Sequence, residues 1–165
     1  WKEKVIDWWN DWVTNGSRHK KPQLYLYGPS GVGKTTFIKN LLKSCVVNNN
    51  HTTNSSNLQQ VNSDDDSYEE FIFTPAPKEF KYAYETFNTN IHKLVLIDEF
   101  DINEYLVSDL KKMLAGEKIV ANRKNKSPVS LKINLPVIII SNLAPPTQNS
   151  NITYQGIAER LFVVN

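Results

Sequence analysis

Residues Gln23 to Ile38 read QLYLYGPSGVGKTTFI, and the fold turns on them. Gln23–Tyr27 is a short apolar run rich in aromatics, the pattern of a buried strand. Gly28-Pro29-Ser30-Gly31-Val32-Gly33-Lys34-Thr35 is a complete G-x-x-x-x-G-K-T, and KTTFIKNLLK continues from it as a helix. Each part has a physical task. The glycines let backbone N–H groups curl around phosphate oxygens with no side chain in the way. The helix that follows turns its positive N-terminus toward the same anion. Lys34 has the reach for β- and γ-phosphates, and the Thr35 hydroxyl suits Mg²⁺. A bare octapeptide can match by accident; a strand before it and a helix after it are the context it requires. The expectation is a nucleoside-triphosphate site over Gly28, Pro29, Ser30, Gly31, Val32, Gly33, Lys34, Thr35 and Thr36, with ATP and Mg²⁺ as cofactors.

Further along, KLVLIDEFD runs four apolar residues into Asp98 and Glu99. Carboxylates at the C-terminal end of a buried strand lie where open α/β sheets place their ligands. Asp98 suits Mg²⁺, directly or through water, and Glu99 suits the base that orients an attacking water. The alternative is a helix N-cap cluster, since acids favour a helix start; Asp101 fits that reading. A kinase mostly positions an acceptor, whereas a hydrolase needs a base, so Glu99 favours hydrolysis. PVIIISN ends in Ser141 and Asn142 just past a fully apolar strand, where a polar group can touch the γ-phosphate or the water.

The remaining elements alternate. EEFIFTP reads as a second strand, EYLVSDLKKMLAG as a helix ending at Gly116, and GIAERLFVV as a short helix running into a last strand. Strands that alternate with helices and read as continuous apolar runs predict a mainly parallel α/β sheet flanked by helices. KIVAN and VSLKI alternate around a basic turn, predicting a β-hairpin with Arg123, Lys124 and Lys126 near its tip. At the start, WKEKVIDWWNDWV is apolar at positions 1, 5, 8, 9 and 12, a helical spacing closed by Gly16. Its tryptophans are packing residues on the simplest reading, with adenine stacking or subunit contact as alternatives. The domain division is a helix over 1–17, a candidate oligomerisation contact, and an ATPase domain over 18–165. A polar, mobile insertion at about 48–67 is expected within it, because VVNNNHTTNSSNLQQVNSDDDS has almost nothing to bury.

Composition bounds the rest. One cysteine, Cys45, excludes an internal disulfide framework and fits an intracellular, reducing setting. No apolar run approaches the ~18 residues of a membrane span, so no membrane partner is expected. The net charge of +2 hides a basic region: Lys111 to Lys132 carries seven bases against Glu117 alone. A polyanion could use that patch, and a solvated basic face is the alternative. The start at Trp1 suggests a domain taken from a longer protein.

The order GPSGVGKTT, LVLIDEF, NRKNKSPVSLK, PVIIISN, ERLF resembles the superfamily 3 helicases, the motor domains of viral replication initiators. The likeness is greatest to the Rep proteins of circular single-stranded DNA viruses and parvoviruses. The resemblance implies an AAA+-like P-loop NTPase fold and a ring, a hexamer, that hydrolyses ATP, moves 3′ to 5′ on single-stranded DNA and unwinds duplex. It implies Lys34 and Thr35 on phosphate and Mg²⁺, Asp98 on the metal, Glu99 as base and Asn142 as polar sensor. Lys124 and Lys126, with Arg123 as an added contact, would grip DNA in a central channel. Arg160 would reach the ATP of a neighbouring subunit. It further implies a nuclease domain upstream in the full-length protein, and the host nucleus if the virus is eukaryotic. His19, His51 and His92 form no paired metal motif, so no nicking activity is expected here. The chain departs from many relatives in having FKYAYETFNTNIHK before the acidic pair. Other readings are an RNA-virus helicase-like ATPase, a small-molecule kinase, and an assembly module that binds ATP without much turnover. The scarcity of arginines, Arg18, Arg123 and Arg160 only, speaks against a kinase lid.

Overall fold

β1 (Gln23–Tyr27) is buried along almost its whole length, because neighbours flank it on both edges and helices cover both faces. A computed structural model of the chain describes residues 1–15, 21–50, 66–78, 81–145 and 152–165. Gly16, Arg18, His19, His51 and most of the predicted insertion lie outside the described residues. In chain order the elements are α1 (Lys2–Asn15), β1, α2 (Lys34–Asn50), a 3-10 turn (Asp66–Phe71), β2 (Ile72–Phe73) and β3 (Leu94–Ile97). A second 3-10 turn (Ile102–Glu104), α3 (Val107–Ala115), the strands β4 (Lys118–Arg123) and β5 (Lys126–Lys132), β6 (Val137–Ser141), α4 (Ile152–Ala158) and β7 (Leu161–Val164) complete it.

The central sheet has five strands, all parallel, in the order β2-β3-β6-β1-β7. This is a P-loop NTPase-like α/β fold. Alternation along the strands divides the core in two. Leu24, Leu26, Leu94, Leu96, Ile138 and Ile140 face α1 and α2, together with Trp8, Trp9 and Trp12. Tyr25, Val95, Ile97, Val137 and Ile139 face α3, α4 and the hairpin. Helix α1 therefore packs into the same core as the phosphate loop's own helix. Val5, Trp8, Trp9 and Trp12 are its buried residues, at the i, i+3, i+4, i+7 spacing. The Trp8 indole also donates to the Pro22 carbonyl at 2.9 Å, tying the helix to the entry of β1.

Three boundaries differ from the sequence expectation. EEFIFTP is a 3-10 turn followed by a two-residue strand, so the sheet edge is short there. Helix α2 runs on to Asn50, into the stretch read as insertion, because asparagine weakens a helix without blocking it. Helix α3 starts at Val107 rather than Glu104; Tyr105 is extended, and the preceding 3-10 turn is capped by Asp101, whose carboxylate accepts from Asn103 N–H. The C-terminus of α3 is at Gly116, with φ +69°, where glycine carries the left-handed cap without steric cost.

β4 and β5 form a separate antiparallel pair whose two-residue turn is Lys124-Asn125. Asn125 takes φ +54°, a conformation asparagine tolerates better than most residues. Ile119 and Ala121 anchor one face of the pair in the protein; the other face is exposed.

Candidate functional site

Parallel strands deliver their C-terminal ends to one edge, and there the predicted residues of three strands meet. β6 lies between β1 and β3. The loop after β1 carries the phosphate motif, the loop after β3 carries Asp98 and Glu99, and the end of β6 carries Asn142 between them. The result is a cleft of about 240 Å³ lined by Ser30, Gly31, Gly33, Lys34, Thr35, Thr36, Asp98, Glu99, Ile140, Ser141 and Asn142. Gly28 and Pro29 act from behind it, through their carbonyls, and Val32 points to solvent, 47% exposed.

The loop conformation explains its glycines. Gly31 and Gly33 have φ of +79° and +83°, values that an L side chain adopts only with strain. Lys34 is buried, 7% exposed, and its three donors all have partners. They reach the carbonyls of Gly28 and Pro29 at 2.8 Å each and Asn142 Oδ1 at 3.3 Å. The longest of the three is the one that an incoming phosphate oxygen can replace most cheaply. The Thr35 hydroxyl donates to Asp98 Oδ2 at 2.8 Å, while Asp98 Oδ1 accepts from Glu99 N–H at 2.9 Å.

Glu99 itself has φ +51°, an uncommon conformation for a non-glycine residue. Such positions cost about 1–3 kcal/mol and are held by their surroundings. Here the holding bonds are visible. Phe100 N–H donates to the Ile140 carbonyl at 2.9 Å, and the Ser141 hydroxyl donates to the Phe100 carbonyl at 3.1 Å. Leu143 N–H donates in turn to Ser141 Oγ at 3.1 Å, and the Tyr25 hydroxyl closes the chain on the Leu143 carbonyl. Burial pushes that phenol above its ordinary pKa, so it stays a donor. The acidic loop is thus clamped to the end of β6.

Asp98 also borders a second cleft of about 310 Å³, beside Lys39, Glu69, Ile72, Thr74 and Leu96. Lys39 and Glu69 form an ion pair of 2.8 Å there, and the bond to Glu69 raises the lysine pKa. Neither residue was singled out from the sequence, because the pair spans thirty positions. A hydroxyl and a carboxylate 2.8 Å apart are a hard-oxygen donor set of the kind Mg²⁺ takes alongside substrate phosphates. Among the described residues no three His, Cys, Asp or Glu side chains gather as a metal group, so phosphate oxygens and water would complete any such shell.

Arg160 is not in this cleft. It precedes β7, and its carbonyl accepts from Gln23 N–H at the entry of β1, at the opposite end of the sheet. The five residues of β1 separate it from the phosphate loop by about 16 Å at ~3.3 Å per residue. Its guanidinium donates to the Gly156 carbonyl. A Cβ on Gly156 would lie 3.2 Å from Lys111 Nζ and 3.4 Å from Arg160 Nη1, so two cations crowd the same glycine. Lys111 was counted in the basic region but given no role of its own.

The hairpin is a third place. Arg123 turns inward on its own tip, donating through Nε and Nη2 to the Ser127 carbonyl at 3.2 and 3.1 Å. Lys124 and Lys126 are exposed, and no carboxylate lies within ion-pair distance of either among the described residues. The Lys124 backbone N–H is held by Glu85 Oε1 at 3.0 Å, a contact between residues 39 apart that no local pattern announces. His92 sits elsewhere, stacked on Phe87, with its Nδ1 accepting from Asn88 N–H. No helix among the described residues is long and apolar enough to cross a membrane.

A profile described as "Family of unknown function (DUF5906)" matches residues 26–155. No protein of curated function matches the chain. Solved structures share its fold. The A-form apo structure of the NrS-1 C-terminal region superposes with a TM-score of 0.56 at 20% identity, over 97% of this chain and 32% of that one. A second structure of that region gives 0.51 at 21%, over 96% and 31%. The JCV helicase, bound to a thiazolopyridine compound, gives 0.54 at 14%, over 98% and 39%. At these identities the likeness is one of fold, and the chain spans about a third of each.

Proposed function

The chain belongs to the DUF5906 family, whose description names no function, and we propose that it is an ATP-hydrolysing motor domain of a DNA replication initiator. In this reading it translocates on single-stranded DNA and unwinds duplex as a ring, a hexamer by resemblance. The observation that carries the proposal is a division of labour along one sheet. The cleft lined by Lys34, Thr35, Asp98, Glu99 and Asn142 lies at the C-terminal strand ends, while Arg160, with Lys111 beside it, lies at the other end, outside that cleft. A second copy supplies what each copy lacks.

The roles follow from position. Backbone N–H groups of the Gly28–Thr35 loop and the start of α2 receive the phosphates. Lys34 gives up its long contact to Asn142 for a phosphate oxygen, which couples the end of β6 to nucleotide occupancy. Thr35 and Asp98 would hold Mg²⁺, whose chemistry is to neutralise charge on the β- and γ-oxygens. Glu99, aimed by its clamped left-handed backbone, takes the proton of the attacking water. Arg160 of the adjoining subunit stabilises the charge that develops on the transferred phosphoryl group. Lys124 and Lys126 hold DNA by its phosphates, without reading sequence. Arg123 braces the turn on which they sit.

The test is the steady-state ATPase rate against protein concentration, with and without poly-dT. A rate per subunit that climbs with concentration and rises further with DNA is expected. A rate flat in both would indicate a self-contained nucleotide enzyme and sink the proposal.

A further inference from the structure

The outward face of the hairpin carries a second pair of cations, at its base. The register of β4 and β5 sets Lys118 directly opposite Lys132, and both are exposed. Like charges facing one another across an antiparallel pair are destabilising. Neither lysine has a carboxylate within ion-pair distance among the described residues. Between this pair and the tip the same face presents Ser130 and Val120, the latter 64% exposed. The inward face, by contrast, is filled by Ile119 and Ala121. The two cations thus face one another on an exposed surface, a repulsion that an anion lying between them would relieve.

We propose that this face is a track for the phosphate backbone of single-stranded nucleic acid, with Lys118 and Lys132 as a second phosphate clamp. The inference rests on the reading that the tip lysines contact DNA, and it extends that contact from a point to a line. From Lys118 to Lys124 is six residues of strand, about 20 Å at ~3.3 Å per residue. A strand at the stacked spacing of about 3.4 Å carries about six phosphates over that length. Lys124 and Lys126 meet one end, Lys118 and Lys132 the other, and Val120 offers an apolar surface to a base between them. Charge complementarity selects the occupant: Lys118, Lys132, Lys124 and Lys126 are four exposed cations on one short hairpin, and among the described residues none of them has an ion-pair partner.

The experiment is fluorescence anisotropy of a dT oligonucleotide against KCl concentration, for wild type, Lys126→Gln, and the double variant Lys118→Gln/Lys132→Gln. Each phosphate contact on a single strand contributes about 0.7 to the slope of log affinity against log salt. The double variant, which removes the one phosphate that the pair clamps, is expected to flatten the slope by about 0.7, as is Lys126→Gln. A double variant with wild-type slope, beside a flattened Lys126→Gln, overturns the track and leaves the tip contact standing. Wild-type slopes in both variants overturn the DNA reading of the hairpin itself. Loss of binding to anionic lipid vesicles with dT binding intact would assign the face to a membrane surface instead and also overturn the proposal. Lys118→Glu separates binding from folding, because it creates an attractive cross-strand pair with Lys132. It is expected to raise the melting temperature while weakening dT binding, and weaker folding together with weaker binding would mean that the lysines are merely structural.

Discussion

Lys34 and Lys126 are both lysines next to a tight turn, yet they live under opposite conditions. Lys34 is buried, and each of its donors has an oxygen to meet. Lys126 is exposed and has no carboxylate partner among the described residues. A charge removed from water has to be compensated, at several kcal/mol if it is not, so a buried cation fixes its surroundings before any ligand arrives. An exposed cation imposes nothing on its neighbours and acquires meaning only from what approaches it. The Lys34 cleft is therefore organised within one chain, whereas on the proposed reading the hairpin and the Arg160 end are halves of contacts that a partner completes.

That contrast breaks in a definite order. Arg160→Ala is the severest test, because an arginine supplied to a neighbour's phosphate is worth about 10³–10⁵ in turnover. ATP affinity, read by equilibrium titration, is expected to stay within about threefold of wild type, since Arg160 lies outside its own cleft; a large loss of affinity would place it in the binding site instead. Lys34→Ala comes next, with turnover down by at least about 10²-fold in a coupled ATPase assay. Normal turnover in that variant would remove the phosphate-loop assignment. Lys126→Ala is expected to weaken dT binding a few-fold and to leave ATP binding untouched. The smallest effect is at Glu85, whose carboxylate holds the Lys124 N–H. Glu85→Gln keeps an acceptor and removes a negative charge beside the tip, so dT affinity should rise by up to about threefold. A fall would mean that the charge of Glu85, rather than its position, supports the hairpin.

The two regions also differ in how far the sequence discloses them. The strand–loop–helix around Gly28–Thr35 was legible because eight consecutive residues carry the motif, and the flanking strand and helix are equally local. The acidic pair and Asn142 were legible for a related reason: each follows an unbroken apolar strand, and parallel strands send such ends to one edge. The clamp on Glu99 was not, because it joins Ser141, Phe100, Tyr25 and Leu143 through two backbone carbonyls and one backbone N–H. Nothing in a side-chain pattern reports a carbonyl. The role of Glu85 was hidden by its 39-residue distance from Lys124, and the crowding of Lys111 and Arg160 by a glycine that only the packing of α3 on α4 brings between them. Arg123 reads as one more free cation in the sequence; its bond to the Ser127 carbonyl across the turn fixes where that charge sits. Among the elements, β2 is present where EEFIFTP suggests a strand, but its two-residue length is hidden, because so short a strand gives no period to read.

In the proposed assembly the cleft of one subunit is served by Arg160 of its neighbour. This sharing is tested most directly by mixing two inactive proteins, Arg160→Ala and Glu99→Gln, and measuring ATPase rate across mixing ratios. An assembly with shared sites contains, in the mixture, clefts with an intact Glu99 facing an intact Arg160, so activity should appear where neither parent has any. Mixtures as inactive as their parents at every ratio, under conditions where the wild-type rate per subunit climbs with concentration, would contradict a shared site.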